Sequence, residues 1–144
     1  MNRPCLVDAN VWLALLVPRH QHHRLTREWF AALSAGDAGL CRAVHLAVIR
    51  LLSNGSIMKD DALSAADAWN RLEELRQDER VDFLQEPSSL DSILPSLFRY
   101  RTPTRNLVND AYLAAFAIGA SRTVVTWDGG FQQFRGLDVE ILGQ

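Results

Sequence analysis

The sequence predicts an α/β fold: a mostly parallel sheet flanked by helices. Three observations carry that expectation. Short apolar runs alternate with longer stretches of helical periodicity, the pattern of parallel strands joined by crossover helices. The chain has 144 residues, 48% of them hydrophobic, enough for one full core. No repeat, low-complexity tract or obvious linker interrupts it, so residues 1–144 read as a single domain.

Residues 4–7 read as the first strand and residues 9–17 as a helix stopped by Pro18. Asp8 stands between them, placed to cap that helix. Farther on, Leu25, Trp29, Ala32 and Leu33 fall at helical spacing, and Gly36 ends the run. Residues 39–41 make a second strand, and residues 43–53 a helix ending near Asn54 and Gly55. Residues 64–80 read as a long amphipathic helix, with Ala65, Ala68, Trp69, Leu72 and Leu75 inside and the acids outside. A strand over 81–84, a helix over 90–100 and a loop over 102–105 carrying Pro103 follow. Asn106 is placed to cap a helix over 107–119. β-Branched residues mark a strand over 123–126, Asp128-Gly129-Gly130 makes a turn, and residues 139–142 form the last strand. Crossovers of this kind are right-handed in nearly all cases.

The formal net charge of −2 conceals a division. Between Asp60 and Asp91 ten acids face three arginines, leaving that stretch seven negative and the rest of the chain five positive. A basic remainder is compatible with a polyanionic partner. Lys59 is the only lysine, and arginine suits planar, bidentate phosphate contacts, although composition bias explains the same imbalance. No apolar run is long enough to span a bilayer. Asp8 and Asn10 interrupt what would be the apolar region of a signal peptide, so a cytoplasmic protein is expected. Cys5 and Cys41 lie in strand-like stretches and are expected as reduced core thiols.

Chemistry is expected from three carboxylates. Asp8 and Asp128 each follow a strand, which brings both to the carboxyl edge of the sheet, where active groups gather at the reversal of strand order. Asp110 is the only charge in a very apolar helix and lies in its first turns, near the positive end of the dipole. As a simple crossover, that helix is expected to start near the opposite edge, so topology alone does not bring Asp110 to the other two. Each acid has a structural reading as a helix cap, a dipole partner or an Asx turn. Together they form an oxygen-rich set suited to a hard cation such as Mg²⁺ or Mn²⁺.

Other groups carry less. His20, His22 and His23 gather at a helix entry, and Cys41 and His45 are four apart, but regular zinc-ligand pairing is absent and packing or capping roles are expected. Arg99, Arg101 and Arg105, with Tyr100, form a basic loop that either holds phosphates and stacks a base or is simply solvated. No serine–histidine–acid order or glycine-rich phosphate loop is present.

The segments DANVWLALL, NDAYLAAFA and TVVTWDGGF, in this order and at this spacing, resemble the motifs of the PIN-domain ribonucleases, in particular the VapC-type toxins of bacterial toxin–antitoxin pairs. HQHH with the following EWF is similar to a variant seen in some of these toxins. The resemblance runs over nearly the whole chain. It implies a PIN-like parallel-sheet fold with an acidic pocket, a divalent metal, endonucleolytic RNA cleavage and inhibition by a cognate antitoxin. It also brings Asp110 to the pocket. On that reading Asp8 and Asp110 hold Mg²⁺ or Mn²⁺, Asp128 completes the site or orients water, and Asn10 and Thr126 support the carboxylates. Arg99, Arg101 and Arg105 are the candidate RNA contacts. Expected partners are RNA, a second copy in a homodimer, and an antitoxin resting on apolar surface for which Trp12, Trp29 and Phe30 are candidates.

The chain departs from the family pattern twice. The helix after the second strand carries no acid where the family usually has a glutamate, near Ala47, and Gly130 stands where a second acid often precedes the last motif's phenylalanine. One loosely held ion is therefore expected in the free protein. The same losses support an alternative, a degenerate PIN domain that binds RNA or protein without catalysis. A phosphatase of the haloacid-dehalogenase type is a weaker reading, because it needs a second acid where Asn10 stands.

Overall fold

Five strands form one parallel sheet: β1 (Cys5–Val7), β2 (Ala38–Cys41), β3 (Val81–Leu84), β4 (Thr123–Thr126) and β5 (Val139–Ile141). The structure, a computed structural model, describes residues 3–99 and 105–144. The strand order is β3-β2-β1-β4-β5. The chain thus builds outward from β1 on one side, then returns to its other side for β4 and β5. The reversal falls between β1 and β4, where Val7 pairs with Val125. Inner strands β1 and β2 are buried throughout, and β4 in all but its first residue, which is why they read as continuous apolar runs. The edge strands β3 and β5 are only half-buried and carry Asp82 and Glu140 outward.

The connections are helical: α1 (Ala9–Leu16), α2 (His23–Ala31), α3 (Arg42–Leu52), a short α4 (Gly55–Met58), α5 (Ala65–Arg76), α6 (Leu90–Phe98) and α7 (Leu107–Ala120). The middle of α7, Ala111 to Ala117 apart from Tyr112, is buried because it lies between the sheet and α6, which explains its apolarity. Trp12, Phe116 and Phe131 are the largest side chains fully sealed in the core. Cys5 and Cys41 are buried free thiols.

Three local expectations need correction. α5 stops at Arg76 instead of running to 80, because the Asp78 carboxylate accepts hydrogen bonds from both the backbone and the guanidinium of Arg80 and folds the chain into β3. Only Ala68 and Leu72 of α5 are fully buried; Ala65 is exposed and Trp69 is 41% exposed, since this helix covers an edge of the sheet with a narrow stripe. Asn106 does not cap α7 through its side chain. Its ψ of 4° already turns with the helix, whereas the working caps Asp8 and Ser64 are extended, at 156° and 158°. α4 is an element absent from the sequence reading, and Asn54 caps it by accepting the Ser56 N–H.

The amino edge of the sheet is closed by Arg122, the residue before β4. Its guanidinium donates to the carbonyls of Cys5 (3.1 Å) and Gly36 (3.2 Å) and to Asp82 Oδ2 (3.2 Å). Gly39 in β2 makes this approach possible: a Cβ there would lie 2.5 Å from the Cys5 carbonyl oxygen and 3.2 Å from the Arg122 guanidinium.

A candidate active site at the carboxyl edge

Where β1 and β4 end side by side, Thr126 organises the carboxyl edge. Its fully buried hydroxyl donates to Asp8 Oδ2 at 2.8 Å. The same oxygen accepts from the Asp128 N–H at 2.9 Å and from Asn10 Nδ2 at 3.3 Å. One donor and two acceptor sites are all a hydroxyl has, so this one is saturated. Asn10 closes the ring by accepting the Trp127 N–H at 3.2 Å. Asp8 Oδ1 accepts the Ala9 N–H at 2.7 Å and so caps α1. The structural and the chemical readings of Asp8 are therefore compatible: one oxygen starts a helix while the carboxylate is fixed in place.

Burial pushes Asp8 above the usual carboxylate range; its hydrogen bonds from Thr126 and Ala9 oppose the shift, and the charge of Asp128 adds to it. Asp110 is pushed up to about 6, first by burial and then by the charges of Asp8 and Asp128. That mutual repulsion places the three acids in one electrostatic neighbourhood. It also corrects the expected topology. A helix leading directly into a parallel strand runs antiparallel to it, so the start of α7 lies at the carboxyl edge, beside Asp8. Asp128 is exposed and holds its turn by accepting the Gly130 N–H at 2.9 Å.

Asp8 and Asp110 line one cavity of about 440 Å³, walled by α3 and α7 and including Ala47, Arg50, Asn106 and Asn109. Asp128 is not among its lining residues. Among the described residues, no basic side chain lies within ion-pair distance of any of the three acids. Nor are three His, Cys, Asp or Glu side chains among them gathered closely enough to cage an ion. The acid set is an open arrangement of hard oxygen donors, short of positive charge.

The remaining candidates fall elsewhere. His22 stacks on Trp127, with ring centroids 3.9 Å apart at 13°, and His20 lies 5.6 Å from His22. The His23 ring N–H donates to the Ala14 carbonyl at 2.8 Å. His45 is buried against Trp69 and Phe83, with Arg42 on its Nδ1. Arg99 and Arg105 are exposed; Tyr100, Arg101 and positions 102–104 lie outside the described residues. Trp12 and Phe30 pack edge-on in the core, and Trp29 lines a cavity at the amino edge with Cys5 and Thr123. Burial removes Trp12 and Phe30 from the apolar surface expected of them, and the half-buried Trp29 lies at the amino edge, away from the acids. Arg50, Asn106 and Asn109 were missed. The available signal was the spacing of Ala43, Ala47 and Arg50, which sets one face of α3 toward the cavity.

A five-stranded parallel sheet flanked by helices is the fold on which the known relatives of this chain converge. The PIN domain matches residues 5–137. Ribonuclease VapC41 of Mycobacterium tuberculosis is 32% identical over 144 residues, covering 96% of this chain and 99% of the relative. Among solved structures, M. tuberculosis VapC20, described as a Sarcin-Ricin loop cleaving toxin, aligns with a TM-score of 0.65 at 19% identity, over 90% of this chain and 93% of its own. VapBC2 of Rickettsia felis, bound to a DNA fragment from its promoter, gives 0.64 at 16% identity, over 94% and 96%. The chain belongs to the PIN-domain family, in its VapC group.

Proposed function

We propose that this protein is a divalent-metal-dependent endoribonuclease acting as the toxin of a toxin–antitoxin pair. The observation that carries the reading is the pairing of Asp8 and Asp110 on one cavity, both with raised proton affinity and without a cationic partner among the described residues. Acids held this way cost stability and suit a cation that arrives from solution.

Asp8 and Asp110 are the residues that would hold Mg²⁺ or Mn²⁺, and their hard oxygen chemistry fits either ion. When bound, the ion neutralises charge on the phosphodiester and makes water a better nucleophile. Thr126 and Asn10 keep the Asp8 carboxylate in one orientation, so little reorganisation accompanies binding. Asp128, exposed at the same sheet edge, would complete the site or orient the attacking water. With no acid on the α3 face around Ala47, Asp8 and Asp110 would hold a single ion in the free protein. The partners in this reading are RNA, a second copy in a homodimer, and a small antitoxin that answers the acid excess with a basic side chain.

Incubation of the purified protein with total cellular RNA, with Mg²⁺, Mn²⁺ or EDTA, tests the assignment. Cleavage is expected with either metal and not with EDTA. Asp8→Asn, Asp110→Asn and Asp128→Asn should each lower the rate at least about a hundredfold while remaining folded. Expression should arrest growth, with relief by the neighbouring gene. RNA binding without metal-dependent cleavage is the result that favours a non-catalytic PIN domain instead.

A further inference from the structure

The cavity that holds Asp8 and Asp110 has a second wall of opposite sign. Arg50, in the last turn of α3, lines it and is the one basic residue among its described lining side chains. Ala47 and Ala43 precede it on the same face, one and two turns back, and their small side chains leave that wall open. Arg50 is exposed, and no described carboxylate lies within ion-pair distance of its guanidinium. Positive and negative groups thus face one space without closing on each other. A structural role is available, because a cation in the last turn of a helix favours its dipole. That role does not require a place on the acidic cavity, and it would be served equally on the solvent side of α3.

We propose that Arg50 is the phosphate-binding residue of this site, donating its planar fork to the non-bridging oxygens of an RNA phosphodiester presented to Asp8 and Asp110. The inference rests on the ribonuclease reading. An RNA phosphate entering the cavity meets repulsion from the carboxylates, and Arg50 supplies the compensating contact from this chain. Guanidinium suits the task because two parallel N–H groups match two phosphate oxygens. The position also has a directional consequence. With the acids at the start of α7 and the end of β1, and Arg50 at the end of α3, the RNA backbone crosses the cavity between the two walls.

The test is binding of a fluorescein-labelled, mixed-sequence, 20-nucleotide single-stranded RNA, followed by anisotropy in EDTA at several salt concentrations, with full-length protein. Arg50→Ala should weaken binding about tenfold and reduce the slope of log affinity against log salt by about one. Arg50→Lys, which keeps the charge and loses the fork, should restore the slope and only part of the affinity. Arg3→Ala, at the amino edge beside Cys5, should change affinity less than twofold. Thermal unfolding of each variant reads the structural role separately, and a midpoint unchanged by Arg50→Ala is expected. If the wild type binds and cleaves RNA and Arg50→Ala does both equally well, this inference fails and the ribonuclease reading stands. Equal losses from Arg50→Ala and Arg3→Ala would also overturn it, as general surface charge. A wild type that neither binds nor cleaves RNA overturns both.

Discussion

The two edges of the sheet treat charge in opposite ways. At the amino edge, Asp78 and Asp82 are paired with arginines. Asp78 is held below the usual carboxylate range by hydrogen bonds from Arg80, whose guanidinium also lies 4.1 Å above the Phe30 ring. Arg122 meets Asp82 and two backbone carbonyls. At the carboxyl edge, Asp8 and Asp110 are shifted upward by burial and by other acids. Two aspartates of one small fold therefore depart from the same reference in opposite directions. On the proposed ribonuclease reading, the difference separates groups that hold the fold together from groups kept unpaired for a ligand.

The largest effect expected at the amino edge comes from Gly39→Val. Its Cβ has no room against the Cys5 backbone oxygen, and urea unfolding should show a loss of at least about 3 kcal/mol or no folded protein. Arg122→Met strands the Cys5 and Gly36 carbonyls and should cost about 2 kcal/mol. RNA cleavage per folded molecule should stay at the wild-type level, because that clamp lies across the sheet from the acids. Thr126→Val crosses the boundary between the regions. It removes the donor to Asp8 and the acceptor of the Asp128 N–H, so about 1–2 kcal/mol of stability and roughly tenfold in cleavage rate should be lost together.

A smaller effect is a pH dependence with the reverse of the usual carboxylate sign. Asp110 keeps its proton to about 6 in the fold against a reference of 3.8. Between those values the folded protein binds more protons than the unfolded chain, so stability falls as pH rises through that window. Asp8 acts in the same direction. In EDTA, the protein should melt higher at pH 5 than at pH 7.5, and Asp110→Asn should flatten the difference.

Much of this contrast was legible in the sequence. A strand buried on both faces announces itself, as TVVT does, and a carboxylate directly after such a strand must come to the carboxyl edge. Asp8 and Asp128 were readable for that reason. The place of Asp110 follows from the same topology once the antiparallel course of a crossover helix is applied. The aromatic residues were harder, because the sequence marks Trp12, Trp29 and Phe30 as apolar without showing that Trp12 and Phe30 are sealed in the core and Trp29 lies at the amino edge. Arg50 was hidden because an isolated arginine near a helix end reads as solvated; its spacing from Ala43 and Ala47 shows a shared face but not what that face meets. The end of α5 was set by the short-range grip of Asp78 on Arg80, which overrides a helical pattern continuing through it.

If the carboxyl-edge acids burden the metal-free fold and serve a cation, removing one of their charges must stabilise that fold. Thermal unfolding of the wild type and Asp110→Asn at pH 7.5, in EDTA and in Mn²⁺, tests it most directly when RNA cleavage is measured on the same samples. In EDTA the variant should melt higher, by about 1 kcal/mol of stability after solvent screening of this half-buried group. Mn²⁺ should raise the midpoint of the wild type and leave the variant unchanged, and cleavage should vanish with the substitution. A variant that melts lower in EDTA, or that keeps both its Mn²⁺ response and its cleavage, would rule out that role for Asp110.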